Sequence, residues 1–447
     1  MKSFAIVNAV IINEGQQFKG AVLVKDEMIA EVVRGVASFP SEIPVIDAEG
    51  KLLIPGVIDC HVHFREPGLT HKADLGTESR AAVAGGVTSF FEMPNTQPQA
   101  TTLELLEEKF KIASEKSVAN YSFFLGASNS NIEEIMLADP RKICGVKVFF
   151  GASTGNMLVD KMEVLEEIFQ SSPLPVAAHC EDESIIKANS ELMRAKYGED
   201  VPVEMHPVIR NEDACYNSSE LAVKLAKKYE TRLHITHLST AKELDLMDNN
   251  IPIQEKKITT EACVHYLWFC DQDYSRLGTK LKVNPAIKSD GDRNGLIEGL
   301  LNGKVDIIST DHAPHLLSEK AGTYFKAPSG TPLVQHALVS MLEMVNKGVF
   351  TIDMVIDKMC HAPAVIYNIE KRGFIRPDYF ADLVLVDTNS AWTVDKSNVL
   401  SKCGWSVFEG VTFHSAITHT FVNGNLVYHE GEFPGEARGK RITFSRS

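Results

Sequence analysis

Short apolar runs alternate with helical stretches through the middle of this 447-residue chain. Helical periodicity occurs, for example, at residues 103–116, 162–170, 218–229 and 296–301. Strands that alternate with helices are typical of a parallel sheet with helical connections. Eight such strands favour an α/β fold, a (β/α)8 barrel of the TIM type. The strand candidates lie at residues 54–64, 87–93, 121–125, 145–150, 175–179, 233–237, 258–263 and 305–310.

An open, doubly wound sheet is the alternative to a barrel. Such sheets usually carry a GxGxxG dinucleotide loop, and this sequence has none. In a barrel, the chemistry lies on the loops that follow the strands. The polar segment 196–217 and the segment 311–335, which is rich in Gly and Pro, are therefore candidate active-site loops.

The two ends of the chain share a different pattern. Residues 1–50 contain short alternating runs punctuated by Gly and Pro, and similar runs return after residue 380. The pair Asn423-Gly424 between two such runs predicts a tight hairpin. We infer that both ends pair into one small β-sandwich domain, with parts at 1–52 and 376–447 and the barrel at 53–375. This inference rests partly on the family resemblance given below.

The segment 59–68, Asp-Cys-His-Val-His-Phe-Arg-Glu-Pro-Gly, belongs to the first strand candidate and the turn after it. Alternate residues of a strand project from the same face, so His61 and His63 point together at one spot. Two converging imidazoles can bind a transition metal. Arg65 follows at the same spacing, where a guanidinium can hold a substrate carboxylate. For an isolated pair of this kind, two packed histidines would be the alternative.

Polar residues recur at the ends of the later strand candidates. Independent structural histidines would not collect at one end of successive strands, so we interpret them as one site. His234 should point away from it, because it lies an odd number of residues from His237. His312 and His315 cannot be ranked by spacing, and the remaining histidines are taken as structural or surface residues. The recurring residues are Asn95, Lys147, His179, His237, Asp311, His312 and His315.

Lys147 lies between apolar neighbours, where an unpaired ammonium is costly to bury. Its amine either reaches solvent or is neutralised or modified; N-carboxylation would make it an anionic carbamate that can bridge two cations. With four histidines and Asp311, this set supports two divalent ions, either zinc or manganese, cobalt or nickel. Such ions can supply a hydroxide near neutral pH, and Asp311 can carry its proton to a leaving nitrogen. The residues therefore predict metal-assisted hydrolysis of an amide or related bond.

Composition narrows the class of partner and the compartment. The formal charge of −14 argues against nucleic acid as a partner. No run of about 18 apolar residues is present, so we expect no transmembrane helix and no membrane partner. The eight cysteines form no CxxC pair, which favours a reduced, cytoplasmic protein.

Three motifs together resemble the dihydroorotases of the amidohydrolase superfamily. They are the segment at 59–68, Met93-Pro94-Asn95-Thr96, and Thr310-Asp311-His312-Ala313-Pro314-His315. The likeness covers nearly the whole chain, including the split β domain. It implies the reversible, zinc-dependent conversion of L-dihydroorotate to N-carbamoyl-L-aspartate in pyrimidine biosynthesis. The resemblance also implies a homodimer, which is common in that family.

The resemblance also implies roles for individual residues. His61, His63 and Asp311 match the ligands of one zinc ion, His179 and His237 match those of a second, and Lys147 matches a bridging carboxylated lysine. Asp311 is in addition the catalytic acid and base. Arg65, Asn95 and His315 match residues that hold the substrate carboxylate, Asn284 matches a substrate-pocket asparagine, and residues 327–330 match a loop whose backbone meets the ring.

Two other functions remain alternatives. Dihydropyrimidinases, hydantoinases and allantoinases share the lysine-bridged site, but their substrates lack the carboxylate that Arg65, Asn95 and His315 would hold. A catalytically inactive scaffold subunit is the second alternative. It would be expected to have lost metal ligands, whereas all six are in place here.

Overall fold

The computed structural model of the protein describes residues 3–150, 157–435 and 438–446. Residues 1–2, 151–156, 436–437 and 447 belong to the predicted domain ranges but lie outside the described residues. In chain order the strands are β1 (Ser3–Asn13), β2 (Gln16–Lys25), β3 (Met28–Arg34), β4 (Val45–Asp47), β5 (Leu52–Pro55), β6 (Val57–Val62), β7 (Val87–Glu92), β8 (Asn120–Gly126), β9 (Gly145–Phe149), β10 (Val176–His179), β11 (Leu233–Ile235), β12 (Ile258–Cys263), β13 (Ile307–Ser309), β14 (Leu383–Asp387), β15 (Trp392–Thr393), β16 (Thr412–Phe413), β17 (Ala416–Val422) and β18 (Asn425–His429).

The helices cover the stretches where the sequence shows helical periodicity. A π-helical turn at Asp357–His361 separates the last two helices of the chain. They are α1 (Leu75–Ala84), α2 (Leu103–Lys116), α3 (Ile132–Met136), α4 (Met162–Ser171), α5 (Glu183–Tyr197), α6 (His206–Ile209), α7 (Glu212–Tyr229), α8 (Val264–Trp268), α9 (Tyr274–Leu277), α10 (Asp290–Leu301), α11 (Leu317–Lys320), α12 (Ala337–Asn346), α13 (Ile352–Ile356) and α14 (Ala362–Ile366).

Strands β6 to β13 form an eight-stranded parallel sheet in chain order. Its two edges meet where Val62 pairs with His312, and the His63 amide donates to the His312 carbonyl at 2.7 Å. The sheet therefore closes into the predicted (β/α)8 barrel. Fully buried aliphatic residues such as Val87, Val146 and Ile235 belong to the large core that the strands share with the helices. The carboxyl ends of all eight strands consequently surround one region, where the candidate site lies.

The first predicted strand differs from the observed one, because Gly56 divides it into β5 and β6. β5 pairs with β1 and β14 in the sheet of the chain ends, whereas β6 pairs with β7 of the barrel. A Cβ at residue 56 would lie 2.0 Å from Thr88 Oγ1, so only glycine fits where the chain passes from one sheet to the other.

The segment 196–217 also differs from the expected loop. It contains the end of α5, all of α6 and the start of α7. Asn211 caps α7 by accepting a hydrogen bond from the Ala214 amide, which explains why a polar stretch begins a helix.

The two chain ends form the predicted small β domain. Its eight strands make one continuous sheet in the order β18-β17-β14-β5-β1-β2-β3, with β4 also paired to β1. The predicted hairpin is confirmed: Asn423 and Gly424 have φ values of 48° and 70° between β17 and β18, as a type I′ turn requires. Asp382 joins this domain to the barrel by accepting hydrogen bonds from Asn120 Nδ2 and from the Asn423 amide.

Among the described residues, no helix combines the length and the apolarity that a bilayer crossing requires. All eight cysteines are buried, and none forms a disulfide.

Candidate active site

Three predicted ligands converge beside the end of β6. The Nε2 atoms of His61 and His63 lie 3.3 and 2.9 Å from Asp311 Oδ1, and the three side chains are buried. The donor atoms all lie within 4.8 Å of one another. An irregularity in the pairing of β6 with β7 falls between Asp59 and Val62, the stretch of β6 that contains His61 and directly precedes His63. One cation could therefore be held by all three.

A second group of donors lies next to the first. His179 Nδ1 and His237 Nε2 are 2.9 Å apart, and the rings of His61 and His237 are centred 5.2 Å apart. Lys147 Nζ donates to Thr236 Oγ1 at 2.9 Å, and that oxygen lies 3.3 Å from His237 Nε2. The four histidines, Lys147 and Asp311 thus form one continuous cluster at the carboxyl ends of β6, β9, β10, β11 and β13.

Left-handed backbone brings three of the site residues into place. Arg65, His237 and Asp311 have φ values of 72°, 39° and 51°. For residues other than glycine, each such conformation costs on the order of 1–3 kcal/mol, and it persists only where the surrounding structure enforces it. His237 reaches the cluster through this turn after β11 and not through the alternation of the strand. His234, in contrast, bonds Thr259 Oγ1 and Glu261 Oε2 and does not join the donor cluster.

Buried carboxylates orient the histidines. Glu261 accepts from His61 Nδ1 and from Ser309 Oγ, and Glu181 accepts from His179 Nε2 at 2.9 Å. These bonds leave the other ring nitrogen of each histidine free to bind a cation, an arrangement that is usual around metal sites. The sequence analysis assigned no role to Glu261 or Glu181. A lone carboxylate within or directly after a buried strand is the signal that could have identified them.

The titration behaviour of the cluster also suits a cation. Burial lowers the pKa of His63 to about 4, so its imidazole is neutral at physiological pH, as a metal ligand must be. Burial alone would raise the pKa of Asp311, but the adjacent His61 and His63 outweigh that effect and hold it well below its usual value. Asp311 is therefore an anion. His179 Nδ1 and His237 Nε2 face each other at 2.9 Å, and one cation could bind both nitrogens.

Lys147 is 1% exposed, so its amine does not reach solvent. Burial is the main cause that lowers its pKa, to about 8, although Glu261 and Asp311 act in the opposite direction. A lysine with such a pKa is still mostly protonated near neutral pH, but its neutral fraction is far larger than that of an ordinary lysine. The alternative in which the Lys147 amine reaches solvent is therefore excluded. The alternative of a neutralised or modified amine remains.

Two of the residues that the sequence predicted to bind an acid group, Arg65 and His315, lie next to each other. Arg65 Nε donates to the Pro314 carbonyl at 3.1 Å, and Arg65 Nη2 lies 3.1 Å from His315 Nε2. His315 Nδ1 accepts from Lys72 Nζ at 3.0 Å, so Nε2 carries the proton and donates to the Ser329 carbonyl. His315 is thereby a neutral group that lies against Arg65 and donates to the Ser329 backbone, without accepting a hydrogen bond from the guanidinium.

The two predicted asparagines each use one end of the amide within the protein. Asn95 Oδ1 accepts from His63 Nδ1 at 2.7 Å, and Asn284 Oδ1 accepts from Ser329 Oγ at 3.0 Å. In the described part of the chain, neither Nδ2 group has a partner. Both can therefore donate to a ligand.

A cavity of about 130 Å³ unites these groups. His315 does not line it but lies behind Arg65 and Ser329. Phe149, which the sequence analysis did not single out, does line it, and the Lys147 amine lies 5.3 Å from its ring centre. The lining comprises His61, His63, Arg65, Asn95, Lys147, Phe149, His179, His237, Asn284, Asp311, Ala313, Ser329 and Gly330.

Comparison with known proteins agrees with this geometry. Residues 52–427 match the model of the amidohydrolase family. A dihydroorotase of Pyrococcus abyssi is 31% identical over 96% of both chains, and one of Halobacterium salinarum is 33% identical over 87% of this chain and 89% of that protein.

Solved structures with the same fold carry related names. The L-hydantoinase (dihydropyrimidinase) of Arthrobacter aurescens superposes with a TM-score of 0.93 and 27% identity, over 99% of this chain and 100% of that one. The dihydropyrimidinase of Brevibacillus agri superposes with a TM-score of 0.88 and 22% identity over the whole of both chains. The chain therefore belongs to the amidohydrolase family, in the branch that contains the dihydroorotases.

Proposed function

We propose that the protein is a dihydroorotase, which opens L-dihydroorotate to N-carbamoyl-L-aspartate and closes it again. The observation that carries this proposal is Arg65, whose guanidinium is buried beside the donor cluster without a carboxylate partner among the described residues. An uncompensated buried cation favours a ligand that brings its own anion. The relatives named dihydroorotase act on such a ligand, a cyclic amide that carries a carboxylate.

The donor cluster fits two divalent cations, and we propose zinc. His61, His63 and Asp311 would hold one ion, and His179 and His237 the other. Lys147, carboxylated on Nζ, would bridge them, because its neutral amine fraction can react with carbon dioxide and the carbamate would replace a buried cation by an anion. When bound, two such ions supply an activated water at neutral pH and polarise the ring carbonyl.

Asp311 is the proposed acid and base. In ring opening, water adds to the ring carbonyl carbon, and Asp311 takes the proton that the water loses. As the carbon–nitrogen bond breaks, Asp311 delivers that proton to the ring nitrogen, which leaves as part of the ureido group. In ring closure the ureido nitrogen attacks the side-chain carboxyl carbon, and Asp311 removes the proton of that nitrogen. It passes the proton to the carboxyl oxygen, which leaves as hydroxide when its bond to carbon breaks. The strained backbone at residue 311 holds the carboxylate at one position throughout.

The remaining polar groups would bind and orient the substrate. Arg65 and the Asn95 amide would donate to the substrate carboxylate, with His315 behind them. Asn284 Nδ2 and the backbone around Ser329 would meet the ring. Both substrate and product keep this carboxylate, so the same contacts serve the two directions of the reaction.

Replacing Lys147 should reduce the metal content of the protein. Lys147→Ala removes the proposed bridge, so we expect zinc to fall from about two ions per chain towards one, and a short carboxylic acid should restore part of the loss by occupying the same space. The measurement is the zinc stoichiometry of the dialysed protein by mass spectrometry. Lys256→Ala, which removes a buried lysine far from the site, is the matched control. Full zinc content in Lys147→Ala would contradict the bridge.

A hydantoinase or dihydropyrimidinase is the second candidate function, and the high structural similarity to the L-hydantoinase favours it. These enzymes would need the same metal cluster but not the acid-binding residues. A scaffold without activity is less consistent with the complete set of donors.

A panel of substrates tests the proposal. Zinc-loaded protein is assayed for ring opening of L-dihydroorotate, dihydrouracil, hydantoin and allantoin. We expect the highest kcat/KM for L-dihydroorotate. A preference for a ring without a carboxylate would support a cyclic-amide hydrolase but contradict dihydroorotate as its substrate. No turnover at full zinc loading would support the inactive scaffold.

The cellular location and the partners of the protein are also proposed here. The acidic charge and the buried, unpaired cysteines support a cytoplasmic enzyme of small-molecule metabolism without a nucleic-acid or membrane partner. A homodimer and the domain limits near residues 52 and 375 stay predictions.

A further inference from the structure

Two buried lysines lie behind the acid-binding end of the cavity. Lys320 is 1% exposed and Lys282 is 8% exposed. Within the described ranges neither forms an ion pair with a carboxylate. The charged groups that act on Lys320 are Lys282 and Arg65, which are both cations. Burial is the main cause that lowers the pKa of both lysines, that of Lys282 to about 8, so an ammonium group persists there only where the surrounding structure compensates for the cost of burial.

Backbone carbonyls provide that compensation. Lys320 Nζ donates to the carbonyls of Lys282, Pro328 and Gly330 at 3.0, 2.8 and 2.9 Å, which uses all three of its protons. Lys282 Nζ donates to the carbonyls of Tyr324 and Ala327, both at 2.6 Å. The two ammonium groups therefore tie the segment 324–330 to the chain around residue 282.

The tied segment supplies atoms of the site itself. Ser329 accepts from His315 through its carbonyl and donates to Asn284 through its hydroxyl, and both Ser329 and Gly330 line the cavity. There is little room for displacement, since a Cβ at residue 330 would lie 2.5 Å from the Ala313 carbonyl oxygen. Loss of either lysine would consequently shift groups that contact the substrate.

The charges around Arg65 also favour a ligand that carries a carboxylate. Arg65 is a cation, and the carboxylates that act on it each have other partners. Asp311 contacts His61 and His63, Glu92 pairs with Lys109 at 3.0 Å, and Glu319 pairs with Lys72 at 3.1 Å. A carboxylate on the ligand would supply the missing anion. Local charge of this kind discriminates between ligands that are otherwise similar in shape.

We propose that Lys282 and Lys320 are positioning residues that hold the segment 324–330 in place and make the cavity selective for a ring bearing a carboxylate. This inference rests on the proposed dihydroorotase function. The lysines do not touch the reacting atoms; they act through the backbone of the segment that carries Ser329 and Gly330.

Steady-state kinetics of Lys320→Met and Lys282→Met test the inference. For each variant, KM and kcat are measured on L-dihydroorotate and on dihydrouracil. We expect KM for L-dihydroorotate to rise about tenfold or more with a smaller change in kcat, as for the loss of a charge-assisted interaction. The preference for the carboxylated ring should fall by a similar factor. Two independent variants are used so that one that fails to fold does not decide the result.

Lys256→Met is the matched control. Lys256 is also a buried lysine that donates to a backbone carbonyl, that of Gly303, but its second partner is Asp306, remote from the cavity. It should lose stability without a change in substrate preference. Hydrogen exchange gives a structural readout: the Gly330 amide, which donates to the Lys282 carbonyl at 2.9 Å, should exchange faster in Lys320→Met than in the control.

The outcomes separate this inference from the proposed function. If the wild type prefers L-dihydroorotate and the folded lysine variants keep both its KM and its preference, the inference is overturned while the function stands. If the wild type prefers an uncarboxylated ring, the proposed function fails, and the selectivity assigned to these lysines fails with it. A loss of preference confined to the two lysine variants supports both.

Discussion

Replacing Asp311 by Asn is expected to lower kcat for ring opening of L-dihydroorotate by about 10²–10⁴-fold, the usual contribution of a general acid–base group. The amide keeps the shape of the carboxylate but cannot take up a proton and deliver it to the leaving nitrogen. Zinc should remain bound, because four histidines and Lys147 are unchanged and the amide oxygen can still face His61 and His63. The measurements are kcat and zinc content of the same preparation.

Asp306→Asn is the control for Asp311. It also neutralises a buried aspartate, but one that pairs with Lys256 before the start of β13, away from the cavity. It should lower stability and leave kcat close to the wild-type value. If Asp311→Asn kept near-normal turnover with zinc in place, Asp311 would not be the acid and base.

The second large effect is expected for Arg65→Met. Removing one partner of a buried charge pair costs about 2–5 kcal/mol, which corresponds to about a 30- to 5,000-fold lower kcat/KM for L-dihydroorotate. Most of the change should appear in KM, because Arg65 would bind the carboxylate that both ground state and transition state retain. Turnover of dihydrouracil should change far less. The measurement is kcat and KM on both substrates.

Arg372→Met is a suitable comparison, since Arg372 is equally buried but pairs with Asp382 at the junction of the two domains. It should lower the melting temperature and leave the ratio of the two kcat/KM values unchanged. An unaltered KM for L-dihydroorotate in Arg65→Met would point to a substrate without a carboxylate.

The barrel could be predicted because its signal is local. Each strand and helix has its own hydrophobic periodicity, and helix α2 begins and ends where that periodicity does, at Leu103 and Lys116. Most of the site residues followed from the barrel: the ends of parallel strands meet at one face, so polar residues at those ends converge. Asn284 was inferred only from the family resemblance. Nine of the ten predicted site residues line one cavity, and His315 lies directly behind it. Their roles stay predictions until the variants are measured.

Other features could not be predicted, because they depend on contacts between distant parts of the chain. Glu261 orients His61 from 200 residues away, and the sequence around it shows only a carboxylate in an apolar strand. His237 enters the cluster through a left-handed turn after β11, whereas the argument from strand alternation assumed a continuous strand. The break at Gly56 likewise depends on Thr88, which lies on the neighbouring strand.

The sequence by itself determined the order of strands and helices, the class of fold and most of the residues from which the site is built, because periodicity and spacing along the chain encode them. Only the tertiary structure decided how those residues are oriented and charged: which nitrogen of each histidine faces the cluster, why Lys147 is buried, and how Lys282 and Lys320 hold the substrate-facing segment. Orientation and pKa depend on burial and on partners across the barrel, which no local pattern in the chain specifies.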